Sequence, residues 1–205
     1  MSSLRMSGNV PYGPAEDTWL LEDSLMRIEN VGRSAEVGCG TGYITKILAE
    51  KSIEVVAIEK DAQSAYLARE NLGCVMSNVH IIIGDGLSPI HISAKLDLIV
   101  SNPPYLPLDD EFYDPAIHGG PSGIEVSEHL IKQALPFLER GSQLYLISSS
   151  LSDQKRLLET IRTHGLEIEV VSFRRIFFEE IACLRIRRAA QNSSPNHEYE
   201  EHCHL

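Results

Sequence analysis

The chain is expected to fold as an α/β domain built on one doubly wound, seven-stranded mixed sheet, and three observations lead there. Short runs rich in Val and Ile alternate with longer segments of helical periodicity, the pattern of a mainly parallel sheet covered on both faces. A glycine-rich loop, Gly38-Cys39-Gly40-Thr41-Gly42, follows the first run. The last two runs lie too close together for a crossover helix, so they must pair as an antiparallel hairpin at one sheet edge. Together these describe a Rossmann-like sheet with a C-terminal hairpin.

Each element has its own signal. Leu20, Leu21, Leu25 and Ile28 recur at helical spacing over Asp17–Ile28, preceded by the turn-rich Pro11-Tyr12-Gly13-Pro14, and predict a side helix or lid over the sheet. Strands are expected at Ser34–Gly38, Glu54–Glu59, Val79–Gly84, Leu96–Ser101 and Gln143–Ser148, with the hairpin at Glu167–Arg174 and Phe177–Arg187. Helices are expected at Thr41–Lys51, Asp61–Leu72, Ser122–Leu138 and Leu151–His164. The connection from Leu106 to Pro121 is long for a βα loop, which favours a functional role.

At 205 residues and 43% hydrophobic, the chain has one domain's length and enough apolar content for a core without staples. Residues 1–188 are expected to form that domain, with 1–30 as the N-terminal lid or side helix. Residues 189–205 are polar, contain no Lys or Arg, and are expected to be a disordered tail. The net charge is −11, and removing the tail's three glutamates leaves the body at −8. That balance argues against a protein that holds nucleic acid mainly through phosphates. Cys39, Cys74, Cys183 and Cys203 are scattered, as incidental thiols are in a reducing compartment. No secretory leader or long apolar span is apparent, so a cytoplasmic protein is expected.

Gly38, Gly40 and Gly42 let the backbone turn sharply and approach a ligand where a Cβ would collide. A tight turn without a ligand would read the same way, but the neighbouring acids add information. Glu59 ends the second strand, 21 residues after Gly38, where a carboxylate can accept both hydroxyls of an adenosine ribose. Asp85 ends the third, in Gly84-Asp85-Gly86, within reach of an adenine amino group. Glu36 sits inside the first strand, where a carboxylate is costly unless paired, and a bound ammonium is a fitting partner. Each acid alone could be a solvated strand end; three at successive strand ends, where open α/β sheets bind ligands, are a pattern. They would repel a pyrophosphate, and no Lys or Arg between Glu36 and Gly42 offsets them. S-adenosylmethionine, a cationic and phosphate-free adenosine cofactor, fits better than NAD.

Asn102-Pro103-Pro104-Tyr105 follows the fourth strand directly. Two consecutive prolines fix φ and remove two backbone donors, leaving a rigid turn rich in acceptors. The Asn102 side-chain oxygen and the Pro103 carbonyl can each take one N–H of an NH₂ group, holding a weakly nucleophilic nitrogen with its π face toward a methyl donor. Tyr105 can stack on the planar group. Such transfer needs alignment more than a strong base.

These residues resemble the class I S-adenosylmethionine-dependent methyltransferases, and among them the HemK-type glutamine methyltransferases, over nearly the whole body. The segment from Val10 to Leu21, with Tyr12-Gly13-Pro14-Ala15-Glu16-Asp17-Thr18, is similar to that of the archaeal and eukaryotic HemK2 branch. The resemblance implies methylation of the glutamine in the Gly-Gly-Gln motif of a class I translation release factor; histone lysine methylation has also been attributed to eukaryotic members. It implies cofactor contacts at Thr18, Glu36, Gly38, Glu59, Asp85, Gly86 and Asn102, and substrate contacts at Asn102, Pro103, Pro104 and Tyr105. Asn102, Pro103 and Tyr105 are the expected catalytic set. Glu59 stands where many relatives have Asp, and Gly86 where a larger apolar residue is common. His118-Gly119-Gly120-Pro121-Ser122-Gly123 also fits the family, and His118 itself reads equally as a plain loop residue. The family's partner is a small zinc-binding activator that covers an apolar sheet edge.

Other signals carry less. His197, His202, Cys203 and His204 match no common zinc spacing, so no metal site is expected. Arg185, Arg187 and Arg188 read as charges that protect an edge strand. Trp19, Leu20 and Tyr66 are expected in the core. The rival function is an adenine or guanine N-methyltransferase on RNA or DNA, because such enzymes use the same turn on the same chemical shape. A silent cofactor-binding subunit is the third reading, and the intact turn and acids speak against it.

Overall fold

The structure is a computed structural model and describes residues 13–73, 76–109 and 112–189. The segment before Gly13, Cys74, and the tail from residue 190 with its His and Cys cluster lie outside the described residues. Ahead of the sheet stands α1 (Glu16–Leu25), followed by β1 (Val31–Val37), α2 (Tyr43–Lys51), β2 (Ser52–Glu59), α3 (Ala62–Leu72), β3 (Val79–Ile83) and β4 (Leu98–Ser101). After two very short strands, β5 (Leu106–Pro107) and β6 (His118–Gly120), come α4 (Glu125–Leu138), β7 (Gln143–Ser149), α5 (Gln154–Thr163), β8 (Leu166–Ile176) and β9 (Glu179–Arg188). All seven expected strands and all five helices are present.

The main sheet runs β3-β2-β1-β4-β7-β9-β8. Its first five strands are parallel, and β9 is antiparallel to both β7 and β8. Strand order therefore reverses between β1 and β4, and the crevice above their C-terminal ends is where such sheets bind ligands. One core cluster joins Ile99, Leu144 and Leu146 to Ile131, Phe137 and Leu157 on the face of α4 and α5. The opposite face joins Val55, Val100 and Ile147 to α1 and α2 through Leu20, Leu21, Leu25, Ile44 and Leu48. The side helix expected from the N-terminal spacing is thus a packed element, with Leu21 and Leu25 fully buried.

Helix starts differ from the sequence expectation for local reasons. α5 begins at Gln154 because Asp153 caps it, its carboxylate accepting from the Arg156 N–H at 3.0 Å. α4 begins three residues late because Ser122 stays in the loop, its hydroxyl donating to the Glu125 carboxylate at 2.7 Å. Two expectations need correction. β9 is an interior strand, and β8 takes the edge, so Arg185 and Arg187 do not guard an edge; they pair across the hairpin with Glu169 and Glu167. Trp19 is 42% exposed and Tyr66 62% exposed, because they lie on the solvent faces of α1 and α3; only Leu20 of that trio joins the core. No described helix is long and apolar enough to cross a membrane.

Candidate active site

Because β3, β2, β1 and β4 are successive neighbours, the residues at their C-terminal ends form a row about three strand spacings, or ~14 Å, long. Asp85, Glu59, Glu36 with the glycine loop, and Asn102 lie along it in that order. The row is long enough for a nucleoside at one end and a reacting group at the other.

The glycine loop is pinned from β2. Gly38 donates to the Ile58 carbonyl at 2.8 Å, and Gly40 donates to the Glu59 carboxylate at 2.9 Å. Gly38, Gly40 and Gly42 all have positive φ, at 76°, 51° and 83°. Open space surrounds the positions where Gly38 and Gly40 would carry a Cβ, whereas a Cβ at Gly42 would press on Leu72 and Ala68. Gly42 therefore serves helix packing, and Gly38 and Gly40 leave a cradle facing the crevice.

The three acids differ in environment. Glu59 accepts from Gly40 and, through its other oxygen, from the Asp61 N–H at 3.0 Å. Each carboxylate oxygen retains acceptor capacity, so two ribose hydroxyls can still be met. Asp85 is more exposed and pairs with Lys60 at 3.3 Å. Glu36 is buried and accepts a short hydrogen bond from the Thr45 hydroxyl. Burial pushes its carboxyl up to about 8, against the opposing hydrogen bond from Thr45, with the nearby Glu59 charge raising it further. A cation beside Glu36 would reverse that imbalance. Burial first, and then the Glu36 and Glu59 charges, hold the thiol of Cys39 within the loop well above the ordinary range, which disfavours its thiolate. Gly86 has φ 58°, and a Cβ there would collide with Gln133, whose side-chain oxygen accepts from the Leu87 N–H at 2.7 Å. This accounts for the departure from larger residues at that position.

At the other end of the row, Ser101 donates to the Val37 carbonyl at 2.8 Å, locking β4 to β1 where the proline turn begins. A cleft of about 150 Å³ opens there, lined by Asp17, Asn102, Pro103, Pro104, Tyr105, Leu106, Ala116 and Ile117. It is smaller than pockets that hold whole drug-sized ligands, which start near ~300 Å³, and suits one planar group inserted from outside. The Asn102 side-chain oxygen is buried and has no hydrogen-bond partner. A buried acceptor without a donor costs about 1–3 kcal/mol, so its presence points to a donor that arrives with a ligand.

The turn is clamped from behind by glycines. A Cβ on Gly119 would lie 2.4 Å from the Pro104 carbonyl oxygen, and one on Gly123 would lie 2.4 Å from the Tyr105 carbonyl oxygen. Close backbone contact therefore holds the turn. The β5–β6 pair, which joins Leu106 to His118, was not foreseen; strands of two and three residues carry no periodicity. His118 is buried, its Nδ1 accepting from the Asp114 N–H at 3.0 Å, with Phe112 and Tyr113 rings about it. It organises the loop. Asp17 carries no local sequence signal for a role in the site. It is buried, lines the cleft, and accepts from the Tyr105 hydroxyl at 3.1 Å. It also accepts from the N–H of the neighbouring Thr18 at 2.6 Å; Thr18 is buried and does not itself line the cleft.

A crevice at the switch point of an α/β sheet, lined by carboxylates and set beside a rigid acceptor turn, has the form of a group-transfer site. Residues 17–171 match the methyltransferase small domain family, and the chain belongs to it. It is similar to methyltransferase HEMK2 of Mus musculus, 28% identical over 87% of this chain and 90% of the relative. A release factor glutamine methyltransferase of Deinococcus radiodurans is 32% identical over 76% of this chain and 59% of its own length. Among solved structures, the Mtq2–Trm112 complex of E. cuniculi, described as responsible for methylating the eRF1 translation termination factor, contains a chain with TM-score 0.69 and 27% identity. The match covers 87% of this chain and 98% of that one.

Proposed function

We propose that this methyltransferase acts on the side-chain amide of the glutamine in the Gly-Gly-Gln motif of a class I release factor. The observation that carries the reading is the buried, unpartnered Asn102 oxygen in a proline-fixed turn that lines a cleft the size of one planar group. Asn102 and the Pro103 carbonyl accept the two amide N–H groups, and Pro104 stiffens the turn. Tyr105, held by Asp17, stacks on the amide plane. Clamped in this way, the nitrogen presents its π face, and alignment lowers the barrier.

S-adenosylmethionine is the cofactor, and when bound it supplies an electrophilic methyl group. Glu59 receives the ribose hydroxyls, Asp85 and Gly86 border the adenine, and Gly38, Gly40 and Gly42 allow close approach. Glu36 and Thr18 face the amino-acid end. Residues 1–188 form the catalytic unit in this reading, and residues 189–205 lie outside it. The work is cytoplasmic, where release factors act. A small zinc-binding activator, comparable to the partner of Mtq2, would cover the free edge of β3, where Ile83 is 52% exposed.

The test incubates purified protein and labelled S-adenosylmethionine with release factor, or with the same factor carrying Gln→Ala in its Gly-Gly-Gln motif. Label on the first only is the expected result. Equal labelling of both sinks the glutamine reading, and labelling of bulk tRNA or DNA instead would establish the nucleobase alternative.

A further inference from the structure

The hairpin between β8 and β9 turns through Phe177 and Phe178, which are 99% and 98% exposed. Two adjacent aromatic side chains standing wholly in water are an unusual load for a two-residue turn. Phe177 also has φ 50°, a left-handed conformation that a bulky residue adopts only at a cost and that Gly or Asn would take more easily. An aromatic kept at a strained and fully exposed position points to a role outside the fold.

The tip stands at the same end of the sheet as the cleft. Ser149, at the end of β7, pairs with Ile181, so the chain from Phe177 to Glu180 projects beyond the strand ends that carry Asn102. β9 and β8 lie two and three strands from β4, and Phe178 lies five residues beyond Cys183, the level of Asn102, which places the tip about 20 Å from Asn102. A chain of contacts joins the two places: Tyr105 donates to Asp17, and the adjacent Glu16 pairs with Arg174, three residues before Phe177. Arg174 also meets Asp23, and Arg175 meets Glu180, while Glu179, next to Phe178, accepts only the neutral Ser149 hydroxyl, so the surroundings of the tip are net acidic. An apolar knob flanked by carboxylates suits neither a phosphate backbone nor an anionic lipid surface.

We infer that Phe177 and Phe178 form a second docking point for the folded protein substrate, inserting into an apolar patch beside the loop that enters the cleft. The inference rests on the proposed action on a protein glutamine and deepens it. Cleft and tip fit within one standard footprint of about 800 Å² per partner, and aromatic anchors of this kind concentrate binding energy.

The experiment compares wild-type protein with a Phe177→Ser/Phe178→Ser double variant, using release factor as substrate and S-adenosylmethionine affinity as the check on folding. Ile53→Ser, a truncation of an 80% exposed residue near the N-terminal end of β2, serves as control. The double variant is expected to raise KM for the factor at least about tenfold with kcat within about twofold. Ile53→Ser should leave KM in place. A KM within twofold of wild type in the double variant overturns the inference alone. A wild-type dimer that becomes monomeric in the double variant assigns the tip to self-association and also overturns it. Wild-type protein that labels no release factor overturns the glutamine reading and the inference together.

Discussion

Asn102 is the residue at which stability and function pull in opposite directions. Its buried oxygen lacks a donor in the free protein, so Asn102→Ala removes an unsatisfied group. The variant is expected to melt at or slightly above the wild-type temperature, to bind S-adenosylmethionine with similar affinity, and to lose about 10²-fold or more in kcat. Near-normal turnover would show that the amide clamp is wrong. Tyr105 and Asp17 act as one unit through the hydrogen bond between them. Tyr105→Phe and Asp17→Ala should each lower kcat/KM, and the double variant should be no worse than the poorer single one. Additive losses in that cycle would separate the two residues.

Glu36 makes a prediction about pH. Its folded-state carboxyl is raised from 4.5 to about 8, so between those values the folded protein holds a proton that the unfolded chain has released. Stability should therefore fall as pH rises from about 4.5 to about 8 and level off above that. Thermal melts across this range should show the slope, and Glu36→Gln should flatten it. Because a cofactor ammonium favours the ionised carboxylate, S-adenosylmethionine binding at pH 7 should release protons. Calorimetry in buffers of different ionisation enthalpy would detect that release, and its absence would remove Glu36 from the cofactor's neighbourhood.

At the scale of elements, the proline turn is held by a neighbouring segment as much as by its own prolines. Gly119→Ala and Gly123→Ala each drive a Cβ into backbone oxygens of the turn, with no flexible side chain to yield. A shift of ~1 Å there is expected to cut kcat about 10²-fold while cofactor affinity changes little. Unchanged kcat would mean that the turn tolerates displacement. The strands, the helices and the row of acids were legible in the sequence because each rests on local periodicity or on a residue at a strand end. The backing by Gly119 and Gly123 was only half legible. Their spacing marks a loop, but which backbone they touch depends on how Leu106–Pro107 and His118–Gly120 come together. Trp19 and Tyr66 were misplaced because an aromatic at helical spacing does not by itself reveal which face of the helix meets the sheet. Arg185 and Arg187 were assigned to an edge because sequence order suggests that the last strand is outermost, whereas the hairpin folds β9 inward.

For the whole molecule, the charge of −11 first argued only against a polyanionic partner. In the structure the Arg–Glu pairs of the hairpin cancel, whereas the crevice acid Glu59 is among the charges that remain. A partner met through a cleft and an apolar knob should bind with weak dependence on salt. KM for release factor is expected to change less than about threefold between 50 and 200 mM salt, whereas contacts to six or more phosphates would lose about 10³-fold. A steep salt dependence would favour a nucleic-acid substrate.

The doubly wound sheet, the glycine loop and the rigid proline turn are legible from sequence alone, because periodicity, glycine spacing and proline chemistry act over a few residues. The packing of distant segments decides that the Asn102 oxygen is buried without a donor, that Asp17 holds Tyr105, and that Phe177 and Phe178 stand exposed at the cleft's end of the sheet. Each of these depends on segments far apart in the chain, whose meeting is set by strand order and packing rather than by local pattern.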